Sequence, residues 1–100
     1  MTESNFSAQT LRYFDSNIEA FIRDLSELIA IPSVRNVSCC SPGSPFGLPI
    51  RQAFDYLINW AQREGFDVRD HDGYALDISF GDGSQEIGIL HHVDVVEAGD

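Results

Sequence analysis

The sequence predicts an α/β fold that consists of two helices, a β-hairpin and a buried central strand. Apolar residues first recur at intervals of three and four positions, as on one face of a helix. After Gly65 they alternate with polar residues, as in strands that have one covered face. From Ile87 to Val96 the chain is almost continuously apolar, which is typical of a strand buried on both faces. These elements predict the start of a mixed sheet and not a finished one.

The first helix is predicted to begin at Ser16, where Glu19 completes a capping box, or as early as Ser7. Pro32 ends it, because the residue before a proline avoids the helical region. The apolar stripe of this helix comprises Ile18, Phe21, Ile22, Leu25, Leu28 and Ile29.

Residues 32–48 are predicted to form a long loop, since they hold three of the four prolines together with several serines and glycines. A loop of this length inside a compact domain is usually functional or mobile. The second helix is predicted from about Pro49 to Glu64, and Gly65 supplies its C-terminal stop.

A β-hairpin is predicted around Asp72-Gly73, the strongest short hairpin signal in the chain. The apolar residues that alternate on either side of it are Phe66, Val68, Tyr74, Leu76, Ile78 and Phe80. A second turn is predicted at residues 81–84, before the buried strand.

The charge balance excludes some classes of partner. Sixteen acidic residues against six basic ones give a formal charge of -10, and the basic residues are scattered singly. Nucleic acids and anionic membranes are bound through clustered Lys and Arg, so neither is an expected partner. The sequence has no apolar run long enough to span a bilayer and no signal-peptide pattern at its start, which predicts a cytoplasmic protein.

The two cysteines, Cys39 and Cys40, are adjacent in the long loop. They lack the CxxC spacing of zinc and redox motifs, and only a strained disulfide could join them. We interpret them as two reduced thiols.

The run His91-His92-Val93-Asp94 carries the clearest chemical content, because it lies where the predicted buried strand ends. Residues two apart in a strand share a face, so His92 and Asp94 are expected to project to the same side. A carboxylate beside an imidazole can fix its tautomer, as next to a metal-bound histidine. The pattern also fits a structural hydrogen-bonded pair, and His91 is expected to face the opposite side. His71 is interpreted as part of a solvated turn.

Four motifs in order resemble the M20 metallopeptidases, and most of all their Xaa-His dipeptidase branch with its PepV-like and carnosinase-type enzymes. They are Ile31-Pro32-Ser33-Val34, Pro45-Phe46-Gly47, Asp72-Gly73-Tyr74-Ala75 and the run from Gly88 to Val96. The resemblance extends from about residue 18 to Asp100, and the series is more specific than any one motif.

The resemblance implies that residues 1–100 are the N-terminal, incomplete portion of an α/β/α zinc-peptidase catalytic domain. In that family two Zn²⁺ ions, bridged by a carboxylate and a water, activate the water for attack on a peptide bond. His92 matches the first metal-binding histidine of the family, and Asp94 matches the active-site aspartate that orients it. The implied partner is a small peptide substrate.

The sequence departs from the family pattern at two positions. His91 replaces a residue that is usually small, and Glu97 replaces a proline that is usual in this branch. The remaining ligands of the family fall beyond position 100. Because catalytic zinc normally takes three protein ligands, we expect the 100-residue chain to be inactive alone. The alternatives are another M20-type deacylase or aminopeptidase, and a small acidic binding module without catalytic activity.

Overall fold

The computed structural model describes residues 3–99 and divides the chain into two compact units, Met1–Ala30 and Ile31–Asp100. Met1, Thr2 and Asp100, which belong to the predicted N-terminal portion of the catalytic domain, lie outside the described residues. Both predicted helices and an antiparallel hairpin are present, which confirms the α/β class.

The first unit is a single long helix, α1, over Glu3–Ile29. It passes through both predicted start points, Ser7 and Ser16, because no glycine or proline interrupts residues 3–29. The ring of Phe21 lies 5.3 Å from that of Phe14 and 6.3 Å from that of Tyr13, measured between centroids, so aromatic contacts extend the apolar stripe towards the N-terminus. The helix ends before Pro32, as predicted.

The second helix, α2, spans Leu48–Arg63 and supplies the core of the second unit. Its buried residues are Ile50, Ala53, Phe54 and Ala61. Gly65 has a φ of +83°, and the Gly65 and Phe66 amides donate to the carbonyls of Gln62 and Ala61. These are the two hydrogen bonds of a Schellman motif. They explain why α2 ends just before Gly65, as the sequence predicts.

The hairpin pairs β1, Asp67–Asp70, with β2, Leu76–Ser79, and places Val68 opposite Ile78. The predicted reversal at Asp72-Gly73 is confirmed, with positive φ at both residues. His71 donates its amide to the Ala75 carbonyl, so the loop between the paired residues is 72–74. The apolar face of the hairpin meets α2 at Phe66, whose ring stacks on Trp60 at 5.5 Å.

Two of the motifs that carry the family resemblance meet in the second unit. Phe46 and Tyr74 make an edge-to-face contact at 5.8 Å. Gly73 is buried, and a Cβ at that position would overlap the Gly43 carbonyl and lie 2.8 Å from Pro45. The long loop and the hairpin turn are therefore close-packed on each other.

Arg51 connects the loop, α2 and the hairpin. Its guanidinium contacts Asp55 at 2.7 Å, Asp70 at 2.7 Å and the Gly43 carbonyl at 3.0 Å. Desolvation acts to raise the pKa of Asp70, but the Gly73 amide and the Arg51 guanidinium outweigh it, and the pKa is lowered. The carboxylate form of Asp70 thus stabilises this junction.

The predicted buried central strand is not formed among the described residues. Residues 87–96 form no regular secondary structure and lie outside the two strands of the sheet, and Leu90 is 99% exposed. A strand that is buried on both faces requires neighbouring strands and two covering layers, and the two-stranded hairpin supplies neither. The apolar pattern predicts a strand, but no part of residues 3–99 pairs with this segment in a sheet.

We predict that Gly73→Ala destabilises the second unit more than Gly65→Ala does. Both glycines have positive φ, so each substitution costs about 1 kcal/mol or more in backbone strain. Only at Gly73 would the new methyl group also overlap backbone, whereas nothing lies within 4 Å at Gly65. Urea unfolding followed by the fluorescence of Trp60 measures both losses, and equal losses would contradict the close packing of turn and loop.

Candidate functional site

Ser33 holds the segment that contains the predicted site residues. Its hydroxyl donates to the carbonyl of Val93 at 2.7 Å, and its carbonyl accepts from the amide of Val95 at 3.0 Å. Ser33 is only 4% exposed. The backbone on both sides of Asp94 is thus fixed by one residue that lies 60 positions earlier in the chain.

The structure brings His92 and Asp94 together, as predicted. Nδ1 of His92 lies 3.1 Å from the backbone carbonyl oxygen of Asp94 and 3.4 Å from its carboxylate oxygen Oδ1. The prediction assumed that both side chains lie on one face of a strand. In the structure the segment is not in a sheet, and the contact is between residues two positions apart in an irregular segment. A neutral imidazole carries one proton, and we assign it to Nδ1, which faces two oxygens.

With the proton on Nδ1, Nε2 of His92 carries a free lone pair. The His92 side chain is 84% exposed, so this nitrogen is accessible. An imidazole whose second ring nitrogen donates to a backbone carbonyl or a carboxylate is the form that binds zinc in proteins, and here the acceptor is the Asp94 carbonyl oxygen. The pair therefore fits the role of one metal ligand and its orienting group. Across residues 3–99 no group of three or more His, Cys, Asp or Glu side chains is placed to hold a metal ion. The described residues fit one ligand of a site and not a whole site.

The other two histidines, His71 and His91, take no part in the contact between His92 and Asp94. His71 faces Asp77 on the hairpin, with 2.8 Å between Nε2 and Oδ2, which agrees with a role in the solvent-exposed hairpin. His91 is exposed. Neither residue shares the contact between His92 and Asp94.

Sequence reasoning missed the role of Ser33. The residue was recognised only as part of the motif from Ile31 to Val34, and no local pattern relates it to Val93. The one available signal is that a small hydroxyl residue directly after a proline suits a buried turn with a side-chain hydrogen bond. The partner of such a bond is set by tertiary structure.

We predict that Ser33→Ala loosens residues 93–95. The substitution removes the donor to the Val93 carbonyl and costs about 1 kcal/mol, the usual net value of one hydrogen bond. The amide of Val95, which still faces the Ser33 carbonyl, should then exchange with solvent about fivefold faster in hydrogen-exchange NMR. Ser38→Ala, which changes an exposed serine in the same unit, is the control, and an unchanged Val95 rate in Ser33→Ala would refute the role of Ser33.

None of the helices in residues 3–99 combines the length and the apolar character that crossing a membrane requires.

No protein-family model matches the chain. The chain is 40% identical over 82 residues to a Bacillus subtilis protein named "Putative dipeptidase YtjP". It is 48% identical over 79 residues to a Staphylococcus haemolyticus protein and 45% identical over 82 residues to a Staphylococcus aureus protein, both also named as putative dipeptidases. These matches cover 79–82% of this chain but only 17–18% of each relative. The chain is thus dipeptidase-like in sequence, over a segment that is less than a fifth of the length of those relatives.

Proposed function

We propose that this chain is the part of a zinc-dependent dipeptidase that supplies His92 as a metal ligand. The observation that carries the proposal is the contact of His92 Nδ1 with Asp94, which leaves Nε2 available to a metal. The similarity to proteins named as dipeptidases supports the substrate class. By its motifs we assign the chain to the M20 metallopeptidases and to their Xaa-His dipeptidase branch.

The roles of the residues follow from their contacts. Asp94 holds the proton of His92 on Nδ1, and Ser33 holds the backbone on both sides of Asp94. A bound zinc pair would supply an activated water and a positive charge for the oxyanion of the tetrahedral intermediate. In this chain, Asp94 and Ser33 would keep the imidazole pointing in one direction before any metal binds, so less ordering is needed on binding.

We propose that the other ligands belong to the rest of a longer protein like the relatives. Three protein ligands are normal for catalytic zinc, and this segment offers one. The segment also leaves Ile87, Leu90 and Val96 at least 90% exposed, and such apolar side chains are usually covered in a complete domain. The 100-residue chain is accordingly expected to hydrolyse no dipeptide by itself.

A chimera tests the proposal. The matched segment of the Bacillus subtilis relative is replaced by this chain, and hydrolysis of dipeptides, including Xaa-His dipeptides, is measured with zinc. We expect the chimera to be active and His92→Ala to lower kcat/KM by about a thousandfold, since a ligand is lost. Asp94→Asn should lower it by about tenfold, the low end of the usual effect for a partner of a metal-bound histidine, because the backbone carbonyl next to Nδ1 remains and only the carboxylate charge at 3.4 Å is lost.

His91→Ala is the matched control, because it changes the neighbouring exposed imidazole and should retain activity. Equal losses in His91→Ala and His92→Ala would contradict the assignment of the ligand. An active relative with a folded but inactive chimera would contradict the proposed dipeptidase function of this chain.

A further inference from the structure

The adjacent thiols of Cys39 and Cys40 both contact one carbonyl oxygen in the long loop, that of Asn36. The sulfur of Cys39 lies 3.6 Å from the Asn36 carbonyl oxygen, and the sulfur of Cys40 lies 3.5 Å from the same atom. Cys40 also approaches the Pro45 carbonyl oxygen at 3.1 Å. Both cysteines are free thiols, Cys39 half-buried and Cys40 exposed. Both sulfurs therefore lie around the same carbonyl oxygen, that of Asn36.

Cys39 also occupies a defined place at the start of α2. The residue before the helix is Gly47, which has no side chain to cap it. The amide of Leu48, the first residue of α2, donates to the Cys39 sulfur at 3.3 Å. The thiol thus takes the part that a serine or aspartate usually plays at a helix N-terminus, and this contact fixes the direction of the sulfur.

The backbone that carries the two thiols is held from both sides. The side chain of Asn36 accepts from the Ser38 amide at 3.0 Å and from the Ser38 hydroxyl at 2.6 Å. The Asn36 amide donates to the Phe46 carbonyl at 2.9 Å. Gly47 packs directly under the Asn36 carbonyl, where any Cβ would overlap it. The acceptor that both thiols share is therefore part of a close-packed turn.

We propose that Cys39 and Cys40 form a preorganised dithiol site for a single soft, thiophilic centre, of the class represented by trivalent organic arsenicals. Thiolate sulfur selects soft centres over hard ones. A direct disulfide between neighbouring residues closes a small ring through the intervening peptide bond, which strains it. One larger atom between the sulfurs enlarges that ring and relieves the strain, so the pair suits chelation better than oxidation.

The step is a condensation without change of oxidation state. Both S–H bonds break, two As–S bonds form, and the oxygen of the arsenic oxide leaves as water with the two protons. Sulfur bound to arsenic keeps lone pairs, so the Leu48 amide retains its acceptor and α2 retains its first turn.

Phenylarsine oxide is the probe. With the 100-residue chain we expect one arsenical per chain by mass spectrometry, the loss of both titratable thiols and an unchanged helical circular dichroism signal. The adduct should resist an excess of a monothiol, because a monothiol can replace only one As–S bond at a time. A dithiol should release the arsenic, because one dithiol molecule can replace both As–S bonds. Cys39→Ser and Cys40→Ser should each lose the monothiol-resistant adduct, while Ser41→Ala, a change next to the pair, should keep it.

Adjacent cysteines also react in a disordered chain, so the contribution of the fold needs its own measurement. We expect the affinity for phenylarsine oxide to be about tenfold higher in the native chain than in concentrated urea, because the native loop already orders the thiols. Asn36→Ala, which removes the acceptor for Ser38, should lower the native affinity towards the urea value. Equal affinity in both states, two arsenicals per chain, or release by the monothiol would each overturn the proposal.

Discussion

The guanidinium of Arg51 is the interaction on which the second unit depends. It reaches from α2 to the carboxylate of Asp70 in β1 and to the Gly43 carbonyl in the loop, although its side chain is only 18% exposed. A partly buried charge of this kind is costly unless its partners stay in place. Loop, helix and hairpin are therefore positioned by one cation, which explains how the turn at Gly73 comes to pack on the loop.

Ser33 extends this framework to the segment that contains His92 and Asp94. Ser33 lies near the start of the loop that Arg51 holds, and it in turn holds the backbone at Val93 and Val95. On this segment, which the hairpin does not pair with, the exposed imidazole of His92 has Nδ1 next to the Asp94 carbonyl oxygen and Nε2 accessible. The segment matches less than a fifth of each relative named as a putative dipeptidase, which agrees with the proposal that further ligands lie in the rest of a longer protein.

Local signals predicted most of the secondary structure, because each acts over a few residues. Pro32 and Gly65 end the helices and Asp72-Gly73 turns the hairpin, each through its own backbone preference. Helix α1 begins before both predicted start points, Ser7 and Ser16, because a capping pattern does not interrupt a helix that has no glycine or proline before it. Whether residues 87–96 pair in a sheet, and what Ser33 contacts, depend on partners distant in sequence, which no local pattern specifies.

The tautomer of His92 tests the central claim most directly. Long-range proton–nitrogen NMR correlations of the neutral imidazoles distinguish a proton on Nδ1 from one on Nε2, and His91 provides an exposed reference in the same chain. The contact with Asp94 predicts that His92 carries its proton on Nδ1 and that added zinc shifts Nε2. A proton mainly on Nε2, with no response of that nitrogen to zinc, would contradict the assignment of His92 as a metal ligand.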